Sequence, residues 1–213
     1  MYNTVLFDLD GTLTDPGEGI TNSVAYALKK LGILIQDKTQ LYSFIGPPLI
    51  DSFMKYYNMN RKKGQLAVEY YREYFRDKGI FENKVYDDIP QLLSEIQNSG
   101  RKIALATSKP EEFAKRILNH FNLTQYFDFI GGATMDETRS KKADVIRHTL
   151  ENLNIIDKSK VVMVGDRHHD INGANQNGLD SIGVLYGYGN RTELENAGAT
   201  YIAKKVNDII NFL

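Results

Sequence analysis

Four aspartates stand where short apolar runs of the sequence end. Asp8 and Asp10 follow the run Val5-Leu6-Phe7, and Asp166 and Asp170 follow the run VVMV. Residues two apart in a strand point to the same face, and the carboxyl ends of parallel strands meet at one edge of a sheet. Carboxylates gathered there would repel, each pair at about 4 Å costing on the order of 4 kcal/mol at an effective dielectric near 20. A hard divalent cation relieves this repulsion, and oxygen ligands favour Mg²⁺.

These carboxylates predict phosphoryl transfer. When a cation offsets the negative charge, a carboxylate can attack phosphorus and form an aspartyl-phosphate, and Asp8 is the candidate nucleophile. Asp10 is placed to protonate the leaving oxygen and then to deprotonate a water. Gly11, which frees the backbone to turn, is a candidate substrate-binding residue. For the second acidic pair alone, a helix cap formed by Asp170 is an alternative interpretation.

Two further segments offer groups that bind phosphate. Thr107 and Ser108 end the apolar run IALATS just before a helix that Pro110 begins, so a hydroxyl and the helix N-terminus can hold phosphate oxygens or simply cap the helix. Lys141 and Lys142 begin another helix, where a cation opposes the helix dipole unless an anion lies nearby. Helical spacing puts Lys142 on the more apolar face, and we predict that Lys142 contacts the site.

The elements that must position these residues alternate along the chain from residue 87 onward. Short apolar runs near 102–107, 126–132, 160–166 and 181–187 are typical of buried strands, helical patterns separate them, and a last strand-helix pair is expected from Thr200 to the end. Asp88 is expected to cap the helix that precedes the run at 102–107. Such alternation predicts βαβ units and a parallel sheet. We therefore expect an α/β fold with a Rossmann-like parallel sheet.

Residues 17–80 interrupt this order with helical patterns near 20–31, 48–57 and 66–78 and no convincing buried strand. A small all-helical cap inserted after the first strand explains them, with a core of residues 1–14 and 82–213 and a cap of residues 15–81. The aromatic cluster YYREYF in the third pattern is either the interior of this cap or a surface that stacks on a substrate.

The composition limits the partners. The 213 residues carry 26 Lys and Arg against 27 Asp and Glu, so no excess of positive charge indicates a nucleic-acid partner. The absence of cysteine excludes disulfides and thiolate chemistry. No apolar run approaches the roughly 18 residues of a membrane span, and the N-terminal residues do not resemble a signal peptide. We expect a cytoplasmic protein whose partner is a small phosphorylated metabolite, and the oligomeric state is not predicted.

Four motifs together resemble those of the haloacid dehalogenase-like phosphatases. They are DxDGT at 8–12, the strand-end Thr107, the helix-starting Lys142, and GDxxxD at 165–170. The resemblance implies a nucleophilic Asp8, an acid/base Asp10, and Mg²⁺ bound by Asp8, the Asp10 carbonyl and Asp166, with Asp170 binding directly or through water. The segments FIGPPL, ATSKP and GVLYGYG resemble the phosphoglycolate phosphatase-like branch, including its 5′-nucleotidase-like subgroup.

The leading hypothesis is thus a Mg²⁺-dependent phosphomonoester hydrolase acting on a phosphoglycolate-like substrate or a nucleoside 5′-monophosphate. A phosphotransferase or mutase of the same superfamily is an alternative, although the cap-side histidine of the hexose-phosphate mutases is missing from PGEGITNS. A phosphonate hydrolase that uses a cap lysine such as Lys55 as a Schiff base is another. A non-catalytic phospho-receiver explains the acidic residues but gives no reason for the helical insertion.

Overall fold

The chain contains a six-stranded parallel sheet with helices between its strands. The computed structural model describes residues 1–136 and 138–213. The strands are β1 (Thr4–Phe7), β2 (Thr14–Asp15), β3 (Lys84–Val85), β4 (Lys102–Pro110), β5 (Phe129–Ala133), β6 (Val161–Gly165), β7 (Asp180–Val184) and β8 (Tyr201–Ala203). The main sheet has the order β5-β4-β1-β6-β7-β8, while β2 and β3 form a separate pair. The predicted Rossmann-like α/β fold is confirmed.

Eight α-helices lie within the described residues. They are α1 (Gly17–Lys30), α2 (Leu49–Tyr57), α3 (Arg61–Tyr74), α4 (Ile89–Asn98), α5 (Glu111–His120), α6 (Lys142–Asn152), α7 (His168–Asn177) and α8 (Arg191–Asn196). Short 3₁₀ segments occur at 38–44, 124–126, 158–160 and 206–212, and a π-helical turn at 75–79 follows α3. None of these described helices combines the length and the apolar character that a bilayer crossing requires.

Contacts divide the chain into two compact units. One, which we call the core, comprises Met1–Thr14 and Val85–Leu213; the other, which we call the cap, comprises Asp15–Lys84. The main sheet belongs entirely to the core, and α1 to α3 belong to the cap. The boundaries 1–14, 15–81 and 82–213 from the sequence stay a prediction.

The main sheet is apolar on both faces, which explains the near-continuous apolar runs of its strands. Leu6 of β1, Ala104 of β4 and Met163 of β6 are fully buried in one cluster with Val145 and Ile146 of α6. Phe7 is opposite Leu105 of β4 and Val164 of β6 in the ladder. The three central strands therefore reach the same edge of the sheet at the residues that follow these positions.

The cap has an interior of aliphatic and aromatic side chains. Phe44 and Phe53 are buried, and their ring centroids are 5.0 Å apart. The rings of Tyr71 and Phe75 are stacked, with their centroids 5.2 Å apart. Tyr71 and Phe75 thus form part of the cap interior, whereas Tyr70 is only partly buried. Of the aromatic cluster YYREYF, at least this buried pair serves packing.

Several local predictions were wrong in detail. Asp88 precedes α4 but in a left-handed conformation, and its carboxylate accepts a hydrogen bond from Asn207 at 2.8 Å, so its side chain does not cap the helix. The strand at 102–107 continues to Pro110, with a register shift against β5 after Ala106. The helix α8 was not predicted, because its six residues are too few to show a clear hydrophobic period.

Candidate active site

Three of the four predicted aspartates meet at the carboxyl edge of the sheet. Asp8 directly follows β1, Asp166 follows β6, and Asp170 lies in the first turn of α7. One carboxylate oxygen from each lies within 4.8 Å of the others, and all three residues are buried. The backbone N–H of Asp8 donates to the Val164 carbonyl at 2.9 Å, which ties the end of β1 to β6. Neighbouring strands thus bring together residues that are far apart in sequence.

The side chain of Lys142 lies between two of these carboxylates. Its Nζ is 2.7 Å from Asp8 Oδ1 and 2.8 Å from Asp170 Oδ1, and it donates to the Ala106 carbonyl at 2.9 Å. Lys142 is 6% exposed although it is the first residue of α6, whereas Lys141 is exposed. Burial opposes the charged form, but Asp170 and Asp8 outweigh it and raise the pKa of Lys142.

Glycines allow the charged side chains to approach one another. Gly11 has φ +84°, and a Cβ there would lie 2.2 Å from Oδ2 of Asp166. A Cβ on Gly165 would lie 2.2 Å from Cγ of Asp170. The GDxxxD and DGT motifs therefore need glycine because the carboxylates occupy the space that a side chain would fill.

Asp166 is held by groups on two loops. Its Oδ2 accepts from the backbone N–H of Tyr188 at 2.7 Å, and its Oδ1 accepts from the Thr12 hydroxyl at 3.4 Å. Burial, together with the charges of Asp170 and Asp8, raises its pKa well above the ordinary value. Burial likewise raises the pKa of Asp170 to about 6, against the opposing charge of Lys142. Asp170 also accepts from the Arg167 backbone N–H at 3.1 Å, so it caps α7 as well as joining the cluster.

The carboxylate of Asp10 pairs with a lysine and is not one of the three clustered carboxylates. Its Oδ2 lies 2.7 Å from Nζ of Lys109, and both side chains are about nine-tenths buried. Burial raises the pKa of Asp10, and the ammonium group of Lys109 works in the opposite direction. Sequence analysis missed Lys109, although two-residue strand periodicity from Thr107 could have indicated it.

Thr107 and Ser108 differ in the structure. Thr107 is 1% exposed, and its Oγ1 accepts from the backbone N–H of Lys109 at 3.2 Å, while Ser108 is half-buried. Both lie in the last part of β4, just before α5. Because its oxygen is the acceptor in this bond, the Thr107 hydroxyl group still has its proton available as a hydrogen-bond donor.

Other candidate residues lie outside this cluster. His168 and His169 lie in the first turn of α7, and Nδ1 of His168 is 2.7 Å from Oε1 of Glu193. Lys55 is exposed on α2 with its Nζ 5.2 Å from the centre of the Tyr56 ring. A lysine that forms Schiff bases is typically buried in an apolar pocket, whereas Lys55 is exposed.

The donor set fits a hard divalent cation. Three buried carboxylates carry more negative charge than the single ammonium group of Lys142 neutralises, and all of the donors are oxygens. Burial is the main cause of the raised pKa of Asp166, the negative charges of Asp170 and Asp8 add to it, and a bound cation would stabilise the charged form. Mg²⁺ meets these requirements.

Comparison with known proteins assigns the chain to a family. Residues 5–184 match the model of the haloacid dehalogenase-like hydrolases, so the chain belongs to this family. A 5′-nucleotidase of Pseudomonas aeruginosa is 47% identical over 193 residues, which cover 91% of this chain and 87% of that protein. The crystal structure of a predicted phosphatase from Clostridium acetobutylicum covers 100% of both chains with 51% identity and a TM-score of 0.97. The chain is a phosphatase of this family that acts on phosphorylated substrates.

One relative has a name of a different kind. Tyrosine-protein kinase PtkA of Mycobacterium tuberculosis is 36% identical over 198 residues, which cover 93% of this chain and 67% of that protein. The relatives of this chain thus include a protein named as a tyrosine kinase as well as proteins named as a nucleotidase or a phosphatase.

Proposed function

We propose that this protein is a Mg²⁺-dependent phosphomonoester hydrolase that works through an aspartyl-phosphate on Asp8. The observation that carries the proposal is the buried meeting of Asp8, Asp166 and Asp170 with Lys142 between two of them. Its substrate is a small phosphorylated metabolite, and nucleoside 5′-monophosphates come before phosphoglycolate because the Pseudomonas relative is named a 5′-nucleotidase. The cytoplasmic location stays a prediction from the sequence.

The proposed cation site consists of Asp8, Asp166 and Asp170 with the backbone carbonyl of Asp10. Bound Mg²⁺ supplies positive charge that offsets the carboxylates and the phosphoryl oxygens. Lys142 adds a fixed positive charge beside Asp8, and the Thr107 hydroxyl donates a hydrogen bond to a phosphoryl oxygen. These groups stabilise the charge that builds up on the phosphoryl group in the transition state.

The reaction proceeds in two displacements at phosphorus. In the first, a carboxylate oxygen of Asp8 forms a bond to phosphorus while the ester P–O bond breaks, and Asp10 gives its proton to the leaving oxygen. In the second, Asp10 takes a proton from a water whose oxygen attacks phosphorus. The bond between phosphorus and Asp8 then breaks, which releases inorganic phosphate and restores the carboxylate.

A substrate panel with a nucleophile variant tests this proposal. Phosphate release is measured from nucleoside 5′-monophosphates, phosphoglycolate and sugar phosphates, with Mg²⁺ and after its removal by a chelator. We expect release that needs Mg²⁺ and is lost in Asp8→Asn, whereas Lys115→Met, which changes an exposed lysine paired with Glu111, retains it. Equal activity of Asp8→Asn and the unchanged protein would contradict the proposal.

A second candidate function is transfer of the phosphoryl group to an acceptor other than water. It is favoured by the relative named a tyrosine-protein kinase. The two functions share the aspartyl-phosphate and differ in what attacks it. Protein labelled on Asp8 is mixed with water alone or with a tyrosine-containing peptide. Label that appears on the peptide faster than it appears as inorganic phosphate supports transfer. Label that stays on Asp8 for hours, and reaches neither the peptide nor inorganic phosphate, supports the receiver alternative.

A further inference from the structure

The ion pair between Lys109 and Asp10 has no part in the cation site described above. Lys109 is the eighth residue of β4, and its side chain is 6% exposed, while that of Asp10 is 11% exposed. Burying a lysine costs free energy that a close carboxylate must offset. An apolar residue is usual at such a position in a buried strand, so a buried lysine here indicates a role beyond packing.

The backbone of β4 is arranged to bring Lys109 to Asp10. The ladder between β4 and β5 runs in register from Ala104 to Ala106 and then shifts, so that Pro110 is opposite Ala133. Irregularities of this kind at strand ends redirect side chains and are common next to active sites. The N–H of Lys109 donates to the Thr107 hydroxyl oxygen at 3.2 Å, within the segment where the register shifts.

The two oxygens of Asp10 are in different situations. Oδ2 is 2.7 Å from the Lys109 ammonium group. Oδ1 is buried and accepts no hydrogen bond from any described residue. A carboxyl group held through one oxygen keeps a single orientation, and its other oxygen is the one that can pass a proton to a substrate.

We propose that Lys109 is a positioning residue that holds Asp10 by Oδ2 and directs Oδ1 to the leaving oxygen of the substrate. This inference rests on the proposed function, in which Asp10 is the acid. The proton on Oδ1 moves to the leaving oxygen as the ester P–O bond breaks and the bond between Asp8 and phosphorus forms. Lys109 keeps its own protons and touches neither phosphorus nor the leaving group.

The dependence on the leaving group tests this role. An alkyl phosphate needs a proton on its leaving oxygen, whereas p-nitrophenyl phosphate releases a stable anion and needs none. For Lys109→Met we expect kcat on the alkyl phosphate to fall roughly tenfold to a hundredfold with little change in KM, because a misplaced general acid loses much of its effect. The single-turnover burst of nitrophenolate, which reports phosphorylation of Asp8 alone, should stay close to that of the unchanged protein.

Two further variants keep the test decisive. Lys109→Arg retains the charge in a side chain of different geometry, so it should fold like the unchanged protein and show a smaller loss with the same bias toward the alkyl phosphate. Lys115→Met, on the exposed face of α5, should change neither substrate. If Lys109→Met does not fold, the bias of Lys109→Arg decides alone.

Three results would overturn the inference. An equal loss on both substrates would mean that Lys109 acts on the phosphoryl group itself, and a raised KM with unchanged kcat would mean that it binds substrate. A lower melting temperature with unchanged kcat per folded molecule would mean a structural role. All three require an active unchanged protein, whereas failure of the proposed function would leave the unchanged protein without activity on any substrate.

Discussion

The core and the cap differ in where they hold their charges. Among the described residues of the core, six charged ones are buried: Asp8, Asp10, Lys109, Lys142, Asp166 and Asp170. In the cap, residues 15–84, which the structure describes completely, the buried polar residues are Thr21, Ser23 and Ser52, and none carries a charge. The cap therefore has an interior that serves stability, while the core accepts costly charges at one edge of its sheet.

This difference means that buried side chains of the cap contribute to packing, whereas the buried charges of the core depend on one another. Burying a charge is tolerated only where partners offset it, and removal of one partner leaves the others uncompensated. Exposed ion pairs such as Lys30 with Glu73, at 2.5 Å, are solvated on both sides. The same type of substitution should therefore have very different effects in the two units.

The largest effect is expected for Lys142→Met in the core. It leaves Asp8 and Asp170 buried without their shared cation, so we expect the free energy of unfolding at neutral pH to fall by about 3–5 kcal/mol. Because a fixed charge beside the nucleophile is also lost, kcat should fall by about 10²–10³-fold. Urea denaturation and phosphate release measure the two effects. A variant as stable as the unchanged protein would show that the carboxylates do not depend on this lysine.

The matching test of the cap removes packing instead of charge. Phe53 is fully buried and contacts Phe44, so Phe53→Ala should lower the free energy of unfolding by about 3–5 kcal/mol through the cavity that it leaves. Leu34→Ala is the control, because Leu34 is 78% exposed in the same unit. Denaturation curves that shift equally for both variants would contradict the assignment of Phe53 to the cap interior.

Two glycines allow a finer comparison. Gly11 in the core and Gly32 in the cap have similar positive φ values of +84° and +79°. A Cβ on Gly11 would lie 2.2 Å from Asp166 Oδ2, while a Cβ on Gly32 would meet nothing within 4 Å. Alanine at either position pays a backbone cost of about 1 kcal/mol. Only Gly11→Ala should displace Asp166, and we expect its kcat to fall by roughly tenfold to a hundredfold. Equal kcat values for the two variants would show that the position of Asp166 does not depend on the absence of a side chain at residue 11.

The sequence predicted the elements whose signals are local. Apolar runs indicated the strands of the main sheet, and helical spacing pointed to Lys142 over Lys141 as the buried lysine. The convergence of Asp8 with Asp166 and Asp170 followed from a general rule about the ends of parallel strands. Their roles in catalysis stay predictions.

Other features depend on contacts between distant residues. The pair of Lys109 with Asp10 joins two segments that are far apart in the sequence, and Lys109 lies where the register of β4 against β5 shifts. The carboxylate of Asp88 turns to Asn207, far along the chain, and not to its own helix. Tyr188 donates its backbone N–H to Asp166, an interaction that no side-chain type encodes.

The smallest effect is expected for Lys30→Met, the cap counterpart of Lys142→Met. Lys30 pairs with Glu73, whose hydrogen bond raises the pKa of Lys30, and the same bond lowers the pKa of Glu73. The raised lysine pKa adds stability below its ordinary value of 10.5, and the lowered glutamate pKa adds stability above its ordinary value of 4.5. The pair therefore contributes between these values, and salt screens it. The melting temperature of Lys30→Met should match that of the unchanged protein at neutral pH in about 0.15 M salt, with any deficit disappearing as the pH falls below the lowered pKa of Glu73. A deficit as large as that of Lys142→Met would remove the contrast between the buried charges of the core and the exposed charges of the cap.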